Sequence, residues 1–303
     1  MLSYTFLSPT LLEKISNKLS LQQNKPGLYL VATPIGNMFD ISLRAIHILK
    51  TSKCVFAEDT RQARKLFDFY EIETPLIACH EYNEIDDSVI SHIEGGEIYS
   101  LISDAGSPLI SDPGYRLVNW CVEHKIDVFA VPGACAMISA LSVSGLPTNN
   151  FAFYGFSPPK KSARRNFLEN LKDVRETMIF YESPQRIVDF LNDLRDMFGN
   201  RQCCVCRELT KLYEEKGRGT IEEQITYFSA EKPRGEFVVV VAGKISDEET
   251  DTEDNEKMLE ELKELMESES LSESVRKISE KYHASKKNIY QQALELKKNT
   301  DNG

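Results

Sequence analysis

Residues 27–61 read GLYLVATPIGNMFDISLRAIHILKTSKCVFAEDTR. An apolar run, Leu28–Ala32, leads into a loop with a proline and a glycine, TPIGNMFD. ISLRAIHILK then carries apolar residues at helical spacing, and CVFA is a second short apolar run. Short apolar runs bounded by turn residues read as strands buried on both faces. A helix between two of them returns the chain, so that the strands lie parallel. PLIAC, IYSLIS and DVFAVP extend the same alternation as far as GLPT at 145–148. The expectation is an α/β domain over residues 27–148, its mainly parallel sheet covered by helices.

Such sheets bind ligands beyond the carboxyl ends of their strands. That rule selects four loops: TPIGN (33–37), EDTR (58–61), SDAGSP (103–108) and PGACA (132–136). The third lies in LISDAGSPLISDPGYRLV (101–118), where Ser-Asp-Ala-Gly is nearly restated as Ser-Asp-Pro-Gly. Asp104 ends a strand among small residues, placed to bind a cation or a hydroxyl. Asp112, followed by Pro113, matches a helix N-cap with proline at the first helical position, which accounts for the second copy structurally. Ala134, Cys135 and Ala136 leave room beside backbone N–H groups at a helix start, or simply allow close packing of helix on sheet. AEDTRQARK is either a capped, charged helix start, with Asp59 or Thr60 as cap, or a polar cleft wall.

The second half, residues 149–245, starts NNFAFYGF and continues through the basic stretch SPPKKSARRNF. TMIFYESP is a strand running into a turn, with Tyr181 and Glu182 at its end. CCVCRELTKLYEE is a strand continuing into a polar segment, and GEFVVVVAG is a last strand. This half reads as smaller and more antiparallel. The charged run at 246–256 reads as a linker. Residues 257–303 read as three short helices, the last two resembling a helix-turn-helix pair. In the extension of residues 1–26, Leu11, Leu12, Ile15 and Leu19 fit one face of a short helix.

The bulk numbers fit a soluble protein: 303 residues, 41% hydrophobic and 27% charged. No run approaches a membrane span. Seven scattered cysteines, an odd number, suit a reducing, cytoplasmic compartment rather than a disulfide framework. Cys203, Cys204 and Cys206 invite a metal site, but a strand turns successive side chains to opposite faces and the five histidines are dispersed. No metal is expected. The net charge of −11 is concentrated at the end, because residues 246–303 hold 16 acidic and 9 basic side chains. A near-neutral body with local basic clusters remains compatible with RNA. From residue 272 onward, 7 basic outnumber 4 acidic residues. The chain has neither G-x-G-x-x-G after its first strand nor a G-x-x-x-x-G-K-[ST] phosphate loop, which argues against the usual nicotinamide and nucleoside-triphosphate enzymes.

Nine segments in order resemble one family: LYLVATPIGN, AEDTR, SDAGSPLISDPGYRLV, VPGACA, SGLPT, GFSPPKKSARR, IFYESP, RELTKLYEE and PRGEFVVVV. They are similar to the bacterial small-subunit ribosomal RNA ribose 2′-O-methyltransferases, within the tetrapyrrole-methylase-like class III methyltransferases. The resemblance runs from about Gly27 to Gly243, and the C-terminal helices resemble a small module at the end of that family. It implies two α/β domains of the tetrapyrrole methylase type, S-adenosylmethionine in the cleft between them, and a homodimer. The implied reaction methylates a cytidine ribose in the decoding centre of 16S rRNA. Carried over by position, the implied cofactor contacts are Pro34, Asp104, Ser107, Cys135, Ala136, Tyr181, Cys206, Glu236 and Phe237. Glu58, Asp59, Glu182 and Glu208 are the candidates for a base that takes the hydroxyl proton. Arg61, Lys160, Arg164 and Arg165 are candidates for RNA phosphates. The chain has Gln185 where that family often has a histidine, so a histidine proton carrier there is excluded. Two other readings stay open: a methyltransferase for a small tetrapyrrole-like molecule, and a non-enzymatic RNA-binding or ribosome-assembly factor.

Overall fold

The computed structural model describes residues 8–21, 23–93, 96–230, 232–244, 247–282 and 286–300. Met1–Gly243 form one compact unit and Lys244–Gly303 another.

The first unit opens with helix α1 (Pro9–Ser20), whose N-cap Ser8 accepts from the Leu11 N–H. Then follow β1 (Gly27–Val31), a 3-10 turn at Met38–Asp40, α2 (Leu43–Thr51), β2 (Cys54–Ala57), α3 (Thr60–Tyr70), β3 (Leu76–Ala78), α4 (Asp87–Ile90), β4 (Ile98–Ile102), α5 (Tyr115–Glu123), β5 (Val128–Val131) and α6 (Ala136–Ser144). The five strands form one sheet in the order β3-β2-β4-β1-β5, every pair parallel. Alternating side chains separate its two cores, as a period of two requires. Tyr29, Val31, Val55 and Ala57 pack with α2 and α3 residues such as Ile48 and Phe67. Leu28, Phe56, Tyr99 and Leu101 pack on the other face with Leu117 and Cys121 of α5.

The chain continues through β6 (Phe151–Phe156), α7 (Lys161–Glu169), β7 (Thr177–Glu182), α8 (Ile187–Phe198), β8 (Gln202–Arg207), β9 (Glu215–Thr220), α9 (Ile221–Ala230) and β10 (Phe237–Val241). The second sheet runs β6-β7-β10-β8-β9, and only its β6–β7 pair is parallel. Cys203 faces the core beneath α8 and α9, whereas Cys204 and Cys206 face Ala140 and Leu141 of α6. The strand alternation expected for this cysteine cluster is therefore present. Helix α6 carries the apolar face that joins the two halves, since Ile35, Ala140 and Leu141 share a core with Ile179, Val238 and Val240.

Strand β9, EKGRGT, was not legible in the sequence. It is an edge strand, where charged side chains and glycine are tolerated because only one side must pair. Asp112 is not a helix cap. The N-cap of α5 is Gly114, at φ +125° and without a side-chain cap, and a Cβ there would lie 2.6 Å from Leu101 Cδ2. The buried Glu84 caps this helix instead, accepting from the Arg116 N–H at 2.8 Å and the Leu117 N–H at 3.3 Å.

The second unit holds α10 (Asp247–Ser268), α11 (Leu271–Lys281) and α12 (Lys286–Thr300). The acidic run expected as a linker is helical from Asp247, and α10 runs 22 residues rather than being short. Acidic residues suit a helix N-terminus, where the macrodipole is positive. Met258, Leu262, Val275, Ile278, Ile289 and Ala293 form a core of their own. The basic residues of α11 are committed within this unit: Arg276 pairs with Glu273 and Glu280, Lys277 with Glu269, and Lys281 with Glu261. Ion pairing leaves less of the local positive charge free for RNA than residue counts suggest.

Candidate functional site

The loops after β1 and β4 are tied to each other. The Thr33 N–H donates to the Gly106 carbonyl at 2.8 Å, and the Gly106 N–H to the Thr33 carbonyl at 3.1 Å. Gly106 has φ +81°, and a Cβ there would come 3.3 Å from Ile35 Cγ2, so the turn requires glycine. Two residues before it, Asp104 Oδ1 accepts from the Asp59 N–H at 3.2 Å, while the Asp104 N–H donates to the Glu58 carboxylate. The ends of β2 and β4 are thus cross-tied through two carboxylates.

A cleft of about 390 Å³ opens between this edge and the second sheet. Asp104, Ser107, Cys135, Ala136, Tyr181, Cys206, Glu236 and Phe237, all candidates from the sequence, line it. Pro34 does not. It lines an adjoining cavity of about 210 Å³, which shares Ile35, Asp104, Ala105 and Glu236 with the cleft. Helix α6 begins at the cleft with no side-chain cap on Cys135. Its Met137 N–H donates to the Tyr181 hydroxyl at 3.2 Å, so a second-sheet side chain satisfies a first-half helix. Burial pushes the Tyr181 phenol up to about 12, which keeps it neutral.

Asp112 also lines the cleft. Its carboxylate accepts from the Ser103 hydroxyl, and burial, with the charge of Asp104 added, raises its proton affinity. Burial raises Glu58 as well, reinforced by the charges of Asp112 and Asp104, and it raises Asp104. Glu58, Asp104 and Asp112 form one cluster of acids, each with raised proton affinity. The proline after Asp112 suggested a cap, and the sequence held no signal that the side chain turns into the cleft instead.

The other candidate bases are committed. Asp59 caps α3 through the Arg61 N–H and chelates the Arg61 side chain, whose hydrogen bonds hold it down to about 2. Glu182 lines the cleft but is buried and saturated by Arg186 at 2.7 Å, the Ser157 hydroxyl and the Ser183 N–H. Burial pushes Glu208 up, but hydrogen bonds from Lys211 and the Glu236 N–H outweigh it and leave its proton affinity lowered.

The cation candidates divide in the same way. Arg164 is 2% exposed and pairs with the equally buried Asp193 at 2.7 Å, so it braces α7 against α8 and cannot meet a phosphate. A helical spacing of basic residues does not show which one turns inward. Arg165, partly exposed, pairs with Asp193 and Asp196, Lys160 is exposed, and Arg61 is exposed but engaged by Asp59. Apolar wall residues Phe156 and Leu209 were not singled out from the sequence, where they look like ordinary core residues. Among the described residues, no helix is long and apolar enough to cross a membrane.

The family profile of the tetrapyrrole (corrin/porphyrin) methylases matches residues 27–224. The chain is 46% identical over 224 residues to the ribosomal RNA small subunit methyltransferase I of Halalkalibacterium halodurans, covering 73% of this chain and 78% of that one. It is 40% identical over 273 residues to the protein of the same name from Synechocystis, covering 89% and 98% of the two chains. Among solved structures, a cobalt precorrin-4 methyltransferase of cobalamin biosynthesis has a similar fold, with a TM-score of 0.54 at 13% identity over 71% of this chain and 94% of that one. A uroporphyrin-III C-methyltransferase from Thermus thermophilus has a TM-score of 0.51 at 17% identity over 70% and 93%. The distant structures share the architecture, and the closer sequence relatives are named for ribosomal RNA. The chain belongs to the tetrapyrrole methylase family and, within it, to the ribosomal RNA small subunit methyltransferase I proteins.

Proposed function

We propose that this chain methylates the 2′-hydroxyl of a cytidine ribose in the decoding region of 16S rRNA, using S-adenosylmethionine as methyl donor. We further propose that it acts in the cytoplasm, on the small ribosomal subunit, and as a homodimer. The observation that carries the site assignment is the acid cluster Glu58, Asp104 and Asp112 beside a largely apolar cleft.

The donor set fits the cofactor. S-adenosylmethionine carries a sulfonium and an ammonium, and a cluster of carboxylates complements both charges. Ile35, Phe156, Leu209 and Phe237 offer apolar walls for its adenosyl and methionine parts. Asp104 and Ser107 are placed for its hydroxyls or ammonium, and the small Cys135 and Ala136 open a path to the backbone at the start of α6. Bound there, the cofactor supplies a methyl group that is already activated, so the acceptor oxygen needs position and the loss of its proton.

The chain's own residues supply the rest. Asp104 lines both cavities, so a hydroxyl presented from the smaller one meets a carboxylate at the shared wall. Asp104 at that wall can take up the proton, and desolvation, which raises the proton affinity of Asp104 and of its neighbours Glu58 and Asp112, favours the transfer. The Thr33–Gly106 bridge and the Asp59 N–H hold Asp104 in place, so that little reorganisation accompanies the reaction.

The test is incubation with labelled S-adenosylmethionine and small subunits from a strain lacking this gene. Label in one cytidine ribose is the expected result. Cofactor binding without ribose label would redirect the site to another acceptor.

A further inference from the structure

We propose that the smaller cavity beside Asp104 receives the acceptor nucleotide of a single-stranded RNA segment, and that Phe39 and Phe69, on the two elements that carry its lining residues Met38 and Leu66, stack a neighbouring base. The proposal rests on the rRNA methyltransferase reading and names where its substrate lies.

The cavity has about 210 Å³, walled on one side by the loops after β1 and β4. One face of α3 runs along it. Gln62, Lys65 and Leu66 line it, and Phe69 continues the i, i+3, i+4, i+7 stripe outwards. Lys65 Nζ meets the Gln62 amide oxygen at 2.7 Å rather than a carboxylate, so its charge is available to a phosphate. Lys211, the other lysine of the cavity, is held by Glu208 and Glu236 at 2.9 and 3.1 Å, which leaves the α3 side to receive the backbone.

Phe39 follows the lining residue Met38 in the chain and Phe69 lies three residues beyond Leu66; they are 78% and 50% exposed, their rings 5.8 Å apart edge to face. Apolar area of this size left in water offsets none of the cost of folding. Hydrogen bonds tie down the segment that carries Phe39. The Phe39 N–H donates to Asn37 Oδ1 at 3.1 Å, the Asn37 N–H to Thr210 Oγ1 at 3.0 Å, and the Tyr70 hydroxyl to the Met38 carbonyl at 2.5 Å. An exposed aromatic pair, one ring of it on the same helix face as a lysine, is what unpaired bases stack on. The route is continuous: phosphate at Lys65, nucleotide in the cavity, ribose at the wall formed by Asp104.

The test uses the full chain with Lys65→Gln and the double variant Phe39→Ala/Phe69→Ala. Cofactor affinity is measured by calorimetry, and KM and kcat on unmethylated small subunits across a salt series. The expected result is unchanged cofactor affinity in both variants. The double variant raises KM about tenfold or more. Lys65→Gln weakens the dependence of log KM on log salt by about 0.7. Wild-type KM in the double variant overturns the proposal, as does a changed oligomeric state by sedimentation, which would make the aromatic pair a contact between copies of this chain. Absence of transfer by the wild-type chain would overturn the functional reading and this proposal together.

Discussion

The Asp104 carboxylate accepts the backbone N–H of Asp59 at 3.2 Å, across the ends of two paired strands, β4 and β2. A side chain at the cleft is therefore also a brace of the sheet edge. Asp104→Asn separates these duties, because an amide oxygen still accepts the N–H but carries no charge. Melting temperature is expected to stay within a few degrees of wild type. Affinity for S-adenosylmethionine is expected to fall about tenfold to a hundredfold, the range for a lost charged hydrogen bond. Calorimetry checks this, and unchanged affinity would remove Asp104 from the cofactor site.

Asp112 makes a prediction about pH. Burial and the neighbouring Asp104 raise its proton affinity in the folded state, so the folded chain holds this proton to higher pH than the unfolded chain. Ionised Asp112 then weakens folding above its folded pKa, and the penalty disappears below the unfolded value of about 3.9. Asp112→Asn is expected to melt higher than wild type at neutral pH and to lose that advantage in acid. Melting curves across pH decide it, and a lower melting temperature at neutral pH would contradict the assignment.

Arg164 and Lys160 belong to one basic stretch but have opposite expected effects. Arg164→Met strands the buried Asp193, although Arg165 still reaches it at 3.1 Å. The expected cost is about 3 kcal/mol, the low end for a broken buried pair. Lys160→Gln leaves stability unchanged and reduces the salt dependence of RNA binding. Denaturant titration and a salt series measure the two effects, and a stable Arg164→Met protein would show that the pair does not brace α7.

The Tyr181 hydroxyl is the partner of the Met137 N–H at 3.2 Å, and Tyr181→Phe leaves that N–H without it. The expected loss is about 1 kcal/mol of stability, with the apolar packing intact. Chemical denaturation tests this, and the sequence relation of Tyr181 to a cofactor cleft is tested by the same variant in calorimetry.

The strand-helix alternation over 27–148 and the four loops at one sheet edge were legible in the sequence because strand and helix periods are local properties of the chain. For the same reason the alternation of Cys203 against Cys204 and Cys206 was legible. Strand β9 was not, because EKGRGT has the composition of a loop and is a strand only through its pairing with β8.

At the cleft, the sequence by itself determined which loops meet and that Asp104 stands among them. The tertiary structure decided what each side chain is free to do. It turned Asp112 into the cleft and gave the cap of α5 to Glu84, 32 residues before Arg116. It saturated Glu182, neutralised Glu208 with Lys211, and buried Arg164 against Asp193. The physical reason is that a charge is defined by its partners and its exposure to water, and both come from segments far away in the chain.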